Sequence, residues 1–118
     1  FDCAELASTL WALAHVNSVE GPLVDALAEE ITRKIHECNE DALRDALEAA
    51  ARKPDRWVPM VTAIQQELPH VLNKYDGSDL WIILVSLGSF GSRSALALDV
   101  AEIQLTKKIG GLTNAELA

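Results

Sequence analysis

Little in this chain interrupts regular structure. Its 118 residues include only six glycines and four prolines, which excludes a flexible linker or a low-complexity tract. No apolar run approaches the roughly 20 residues needed to cross a bilayer. The longest, residues 80–87, is interrupted by Ser86 and reads as a buried helix. Cysteine is limited to Cys3 and Cys38, so the disulfide-dense frameworks of very small secreted domains are excluded. A bond between these two is open to the chain, but a domain with a good core does not require one, and both are read as structural. His15, His36 and His70 with Cys38 fall short of the four well-spaced ligands of a stable zinc site. No phosphate-binding loop, dinucleotide fingerprint or nucleophile elbow occurs. The carboxylate pairs Glu29–Glu30 and Glu40–Asp41 read as solvated helix faces or first-turn complements to a helix dipole. The expectation is a protein without catalytic machinery, metal or cofactor.

Positive charge is scarce as well. Ten Lys and Arg against eighteen Asp and Glu give a net charge of −8, which opposes non-specific binding to nucleic acid. The imbalance is concentrated at one end: residues 1–37 carry seven acids and two bases. That stretch suits a basic protein partner.

What the chain does have is a period. Leu6, Leu43, Leu80 and Leu117 are each 37 residues apart, and Leu10, Leu47 and Leu84 repeat the interval. The same spacing relates Val24, Val61 and Leu98, then Ile31, Leu68 and Leu105, then Ile35, Leu72 and Ile109. A fixed interval of this size marks an array of supersecondary units, which works by offering an extended surface. The units are 1–37, 38–74, 75–111 and a partial fourth, 112–118.

Each unit opens with a helix-start signal. Asp2, Asn39, Asp76 and Thr113 share one position and are favoured N-cap types. Asp2 with Glu5, and Thr113 with Glu116, have the capping-box spacing. Phe1, Cys38, Tyr75 and Leu112 precede the caps and face the repeated leucine as a hydrophobic staple would. The first helix of each unit is expected to run about 14 residues, with stripes such as Leu6, Leu10, Leu13 and Leu43, Leu47, Ala50 on one face. Short connectors follow at residues 17–21, 53–55 and 89–92. Pro22 and Pro59 then stand near the first turn of a second helix, where a missing N–H is harmless. Pro69 is expected to kink or shorten its helix, and Gly110–Gly111 to close the third unit. The predicted fold is all-α: an α-solenoid of three helical hairpins plus the first turn of a seventh helix, forming one domain over 1–118 that belongs to a longer array.

Residues 4–14 read AELASTLWALA. This resembles the "ELANTLWALAKL" signature of the heptatricopeptide-repeat proteins, a RAP-associated class of organellar helical-repeat proteins similar to the octotricopeptide-repeat and FAST-kinase-like proteins. Only the first unit carries the signature closely; Glu48 and Val85 stand where Trp11 stands. The resemblance implies a mitochondrial protein, or alternatively a plastid one, that binds organellar RNA or supports fragmented ribosomal RNA in a mitoribosome. The second class of function is a protein–protein scaffold or accessory subunit of an organellar complex.

Arg52-Lys53-Pro54-Asp55-Arg56-Trp57 is the basic–aromatic cluster of the chain. Arg52, Lys53, Arg56 and Trp57 are therefore the candidate nucleic-acid contacts, since cations meet phosphates and ring faces stack on bases. The bland alternative is an exposed connector whose charges serve solubility. Trp11 and Trp81 lie beside the leucine stripe and are expected to pack between helices.

Overall fold

A computed structural model describes residues 1–16, 21–91 and 95–117, with side chains described at these positions except 95–97 and 111–117. Among the described residues there are six α-helices: α1 (Cys3–His15), α2 (Pro22–Arg33), α3 (Glu40–Ala51), α4 (Val58–Val71), α5 (Gly77–Gly88) and α6 (Ala95–Leu117). One-turn 3₁₀ segments, Ile35–Glu37 and Leu72–Lys74, follow α2 and α4. There is no strand among the described residues. The protein is all-α, as the period implied. Each odd-numbered helix packs on the even-numbered helix that follows it. In addition α3 lies against both α1 and α5, and α4 against both α2 and α6.

The start signals act as capping chemistry requires. The side chains of Asp2, Asn39 and Asp76 accept the backbone N–H groups of Glu5, Ala42 and Asp79 at 2.8, 2.9 and 2.8 Å. Glu5 returns the bond to the Asp2 N–H at 3.1 Å, which completes a capping box. Pro22 and Pro59 sit in the first turns of α2 and α4. Gly21, just before Pro22, has φ of 119°, a region that only glycine enters at low cost.

The apolar stripes become the core. Leu6, Leu10, Leu43, Leu47, Leu80 and Leu87 are buried, and Val24 and Ile31 of α2 and Val61, Ile64 and Leu68 of α4 join them in one core. Several contacts join the odd-numbered helices, and two of them follow the period. Cys3 and Cys38 form a disulfide across a sequence separation of 35. One unit later, the hydroxyl of Tyr75 donates to the Glu40 carbonyl at 2.6 Å. These are the same two repeat positions, one tied covalently and the other by a hydrogen bond. Arg44 of α3 then reaches Asp79 of α5 at 2.6 Å while also holding Asp45 at 3.2 Å. Burial pushes the Tyr75 phenol above its ordinary range. Tyr75→Phe keeps the ring and removes one donor to a backbone carbonyl, so thermal unfolding is expected to show a loss of about 1 kcal/mol.

The two cysteines, read as structural, are joined, because position one of a unit rests on position three of the unit before. Three expectations need correction. Phe1 is 89% exposed and staples nothing; unlike Tyr75, it rests on no described helix. Pro69 does not shorten α4, which runs to Val71. It lies exposed in the last turn, where solvent can reach the carbonyl it frees. Finally, no seventh helix begins at Thr113: α6 continues through Gly110 and Gly111 to Leu117. A mid-helix glycine costs only about 1 kcal/mol relative to alanine, and that penalty ends a helix only where tertiary packing rewards a break. Residues 17–20 and 92–94 of the connectors, and the side chains of Leu112, Thr113, Glu116 and Leu117, lie outside the described residues.

Candidate functional site

The connector from α3 to α4 spans residues 52–57, longer than the 53–55 that the sequence suggested. It divides the basic–aromatic cluster between two grooves. On one side, Asp25 stands in the first turn of α2, a favourable place for an acid at a helix N-terminus. Its Oδ1 accepts from Trp57 Nε1 at 3.1 Å and from Arg56 Nε at 3.2 Å, while Oδ2 accepts from Arg56 Nη2 at 3.1 Å. Trp57 is thereby drawn to 5% exposure. Together with Glu29, Thr32 and Met60 these residues line a groove of about 390 Å³ between α2 and α4. The Trp57 ring forms its wall and is closed to base stacking, and the charge of Arg56 is matched by Asp25.

On the other side, Arg52 caps the C-terminus of α3 and is exposed. It lines a second groove, about 300 Å³, between α3 and α5, with Glu48, Trp81, Ile82 and Val85 among its neighbours. Lys53 and Arg56 line a shallow third depression between the two. Of the four sequence-predicted residues, only Arg52 therefore reaches the α3–α5 groove, and only Arg56 and Trp57 reach the α2–α4 groove.

The tryptophans behave differently from one another. Trp11 is half-buried as expected, donating Nε1–H to Glu48 on α3 at 3.0 Å, with its ring 3.7 Å from that of His15. Trp81 does not pack between helices: it is 62% exposed. Position 81 is the equivalent of Ala7 and Arg44, which the next odd-numbered helix covers; no described helix covers α5 there. Asp25 carries only a partial sequence signal: its equivalent in the third unit is Asp99, but in the second unit it is Thr62.

Comparison with models of protein families, with curated proteins and with solved structures yields no match to this chain.

Two histidines have polar partners. His36 Nδ1 lies 2.7 Å from Glu67 Oε1, and His15 Nδ1 lies 3.0 Å from the Trp11 carbonyl. Among the described residues no group of His, Cys, Asp and Glu is arranged to hold a metal ion. None of the described helices is long and apolar enough to cross a membrane.

One carboxylate has a pH signature. Burial pushes the Asp45 carboxyl above its usual range, and the attraction of Arg44 only partly offsets this. The folded state therefore holds this proton to a higher pH than the unfolded chain does. Its contribution to stability is full below about pH 3.9 and is lost as pH rises through the raised value. The Asp45→Asn variant lacks that loss. Urea unfolding between about pH 3 and pH 6 is expected to show wild type becoming less stable relative to the variant as pH rises.

Proposed function

We propose that this chain is a non-catalytic α-solenoid scaffold, a helical-repeat module that assembles proteins within a larger organellar complex. The observation that carries this reading is the pinning of Arg56 and Trp57 on Asp25. It buries the Trp57 ring and pairs the charge of Arg56 with an acid in a chain that already carries −8. What stays outward is grooved and partly apolar, with Trp81 and Val85 in the open, and exposed apolar surface beside polar residues suits a protein partner. The acidic residues 1–37 favour a basic one. The 37-residue interval of the contacts between odd-numbered helices supports the solenoid.

The resemblance of residues 4–14 supports a mitochondrial home, with a plastid as the alternative. Within the organelle, the Cys3–Cys38 disulfide favours a space oxidising enough to keep it closed.

A second reading is organellar RNA contact, including ribosomal RNA fragments in a mitoribosome. Its specific support is that Arg52 shares the α3–α5 groove with the exposed Trp81, a cation beside a free ring face. Cross-linking and affinity purification of the full-length protein from organelles, with mass spectrometry and RNA sequencing on one sample, decides between the two. Protein cross-links clustered on the acidic first unit without RNA support the scaffold. RNA fragments cross-linked at Arg52 or Trp81 would replace it with the RNA reading.

A further inference from the structure

The α2–α4 groove contains a carboxylate that the fold does not use. At one end of the groove Asp25 is taken up by Trp57 and Arg56, so the two opposite charges there offset each other. One helical turn further along α2, Glu29 also lines the groove. It is exposed, and its carboxylate meets no donor among the described residues. Thr32, three residues on, spends its hydroxyl proton on the Ala28 carbonyl at 2.7 Å, which leaves its oxygen able to accept. On the α4 side, Pro59 and Met60 supply apolar surface. The groove therefore combines one uncompensated negative charge, one further acceptor and an apolar wall.

The charge belongs to this joint rather than to the repeat. Asp25 and Glu29 correspond to Thr62 and Gln66 in the second unit. Gln66 keeps the length of Glu29 and drops its charge, and it serves equally well as a solvated helix position. The groove also stays open in a longer array. Repeats touch only their neighbours in line: the far side of α4 already carries α6, and a unit ahead of α2 would pack on the side away from α4.

We propose that the α2–α4 groove seats an arginine side chain from a basic segment of a partner protein. The guanidinium meets the Glu29 carboxylate, and the stem lies on Pro59 and Met60. Arginine suits a lone carboxylate because its planar fork bonds both oxygens at once. Long cationic side chains also lay their stems on apolar surface while the head stays polar. Arg56 repels a cation from the Asp25 end and so directs it to Glu29. The occupant is basic because residues 1–37 carry seven acids against two bases, a field that draws cations in. This rests on the scaffold reading and names where the partner is held.

Amide and indole chemical shifts of the whole chain, titrated with acetyl-Leu-Ala-Arg-Ala-Leu-amide to about 3 mM, cover the affinity of a short peptide and test this. Saturable shifts are expected at Glu29, Thr32, Met60 and the Trp57 Nε1–H, and they should weaken as salt is raised. The citrulline analogue, which keeps the shape of arginine and lacks its charge, is expected to leave them unmoved. Glu29→Gln, which installs the side chain of Gln66, is expected to bind about fivefold more weakly, the effect of one partly exposed ion pair. Glu37→Gln removes the same charge from the first unit outside the groove and is expected to change binding by less than about twofold. Both positions are exposed, and unchanged helical circular dichroism confirms that the variants fold. No shift up to about 3 mM, equal binding of the citrulline peptide, or equal weakening by the two variants overturns the arginine seat and leaves the scaffold reading in place. Oligouridylate moving the same groove signals overturns both, because it identifies an RNA site.

Discussion

Reduction of the Cys3–Cys38 disulfide is expected to lower the melting temperature by about 10–20 °C. The bond closes a sequence separation of 35 residues. Opening a loop of that length restores conformational freedom to the unfolded chain equivalent to about 3–4 kcal/mol. For a chain of this size each kcal/mol moves the midpoint by about 3–6 °C. The bond also lies where its loss is felt across a joint: Cys3 opens α1, and Cys38 directly precedes the Asn39 cap of α3. The Cα atoms are 5.3 Å apart, within the usual range for disulfides. Calorimetry with and without reductant gives the shift, and the Cys3→Ser/Cys38→Ser double variant should reproduce it without reductant. A shift under about 3 °C would mean that the α1–α3 packing already supplies the restraint. Tyr75→Phe is the internal comparison. It touches the same pair of repeat positions one unit later, but removes a single hydrogen bond rather than a chain constraint.

The helices were legible because each rests on local chemistry written more than once. Asp2, Asn39 and Asp76 all cap, and the leucines at positions 6, 10, 43, 47 and 80 are all buried. The pairing of Cys3 with Cys38 was within reach, since the two occupy positions three and one of adjacent units. Knowing that these positions touch required the packing of α1 on α3. The failures occur at positions that no described helix covers. Phe1, Trp81 and Ile109 carry the same pattern as buried counterparts, yet lie exposed, because burial depends on a neighbour that a pattern does not supply. Gly110 and Gly111 repeat the logic at backbone level, since a weak local preference yielded to continued helical hydrogen bonding. The candidate site was half legible. Arg52, Lys53, Arg56 and Trp57 stood out by composition, but Asp25, which decides what two of them can do, is 31 and 32 residues away, and its repeat position, kept as Asp99 but lost at Thr62, does not say what it meets.

Asp25→Ala is expected to destabilise the fold by about 2–3 kcal/mol. It would also release the one aromatic residue of the basic cluster. The carboxylate accepts three hydrogen bonds, one of them from the buried indole of Trp57. A buried donor left without an acceptor costs about 1–3 kcal/mol. The Arg56 pair is partly exposed and adds only about 0.2–1 kcal/mol. Arg56→Ala should therefore lose about 0.5 kcal/mol and leave Trp57 in place, whereas Asp25→Asn keeps one carbonyl acceptor and falls between. Urea unfolding followed by Trp57 fluorescence separates the three. A loss below about 1 kcal/mol for Asp25→Ala would show that the indole N–H finds water instead. The same variant discriminates between functions. It removes one negative charge and frees a cation and a ring face together, so a chain built for RNA should bind oligouridylate more tightly once Asp25 is gone. A chain in which Asp25 shapes a scaffold groove should gain nothing toward RNA and should bind basic protein partners less well, because the α2–α4 groove loses both a wall and a charge.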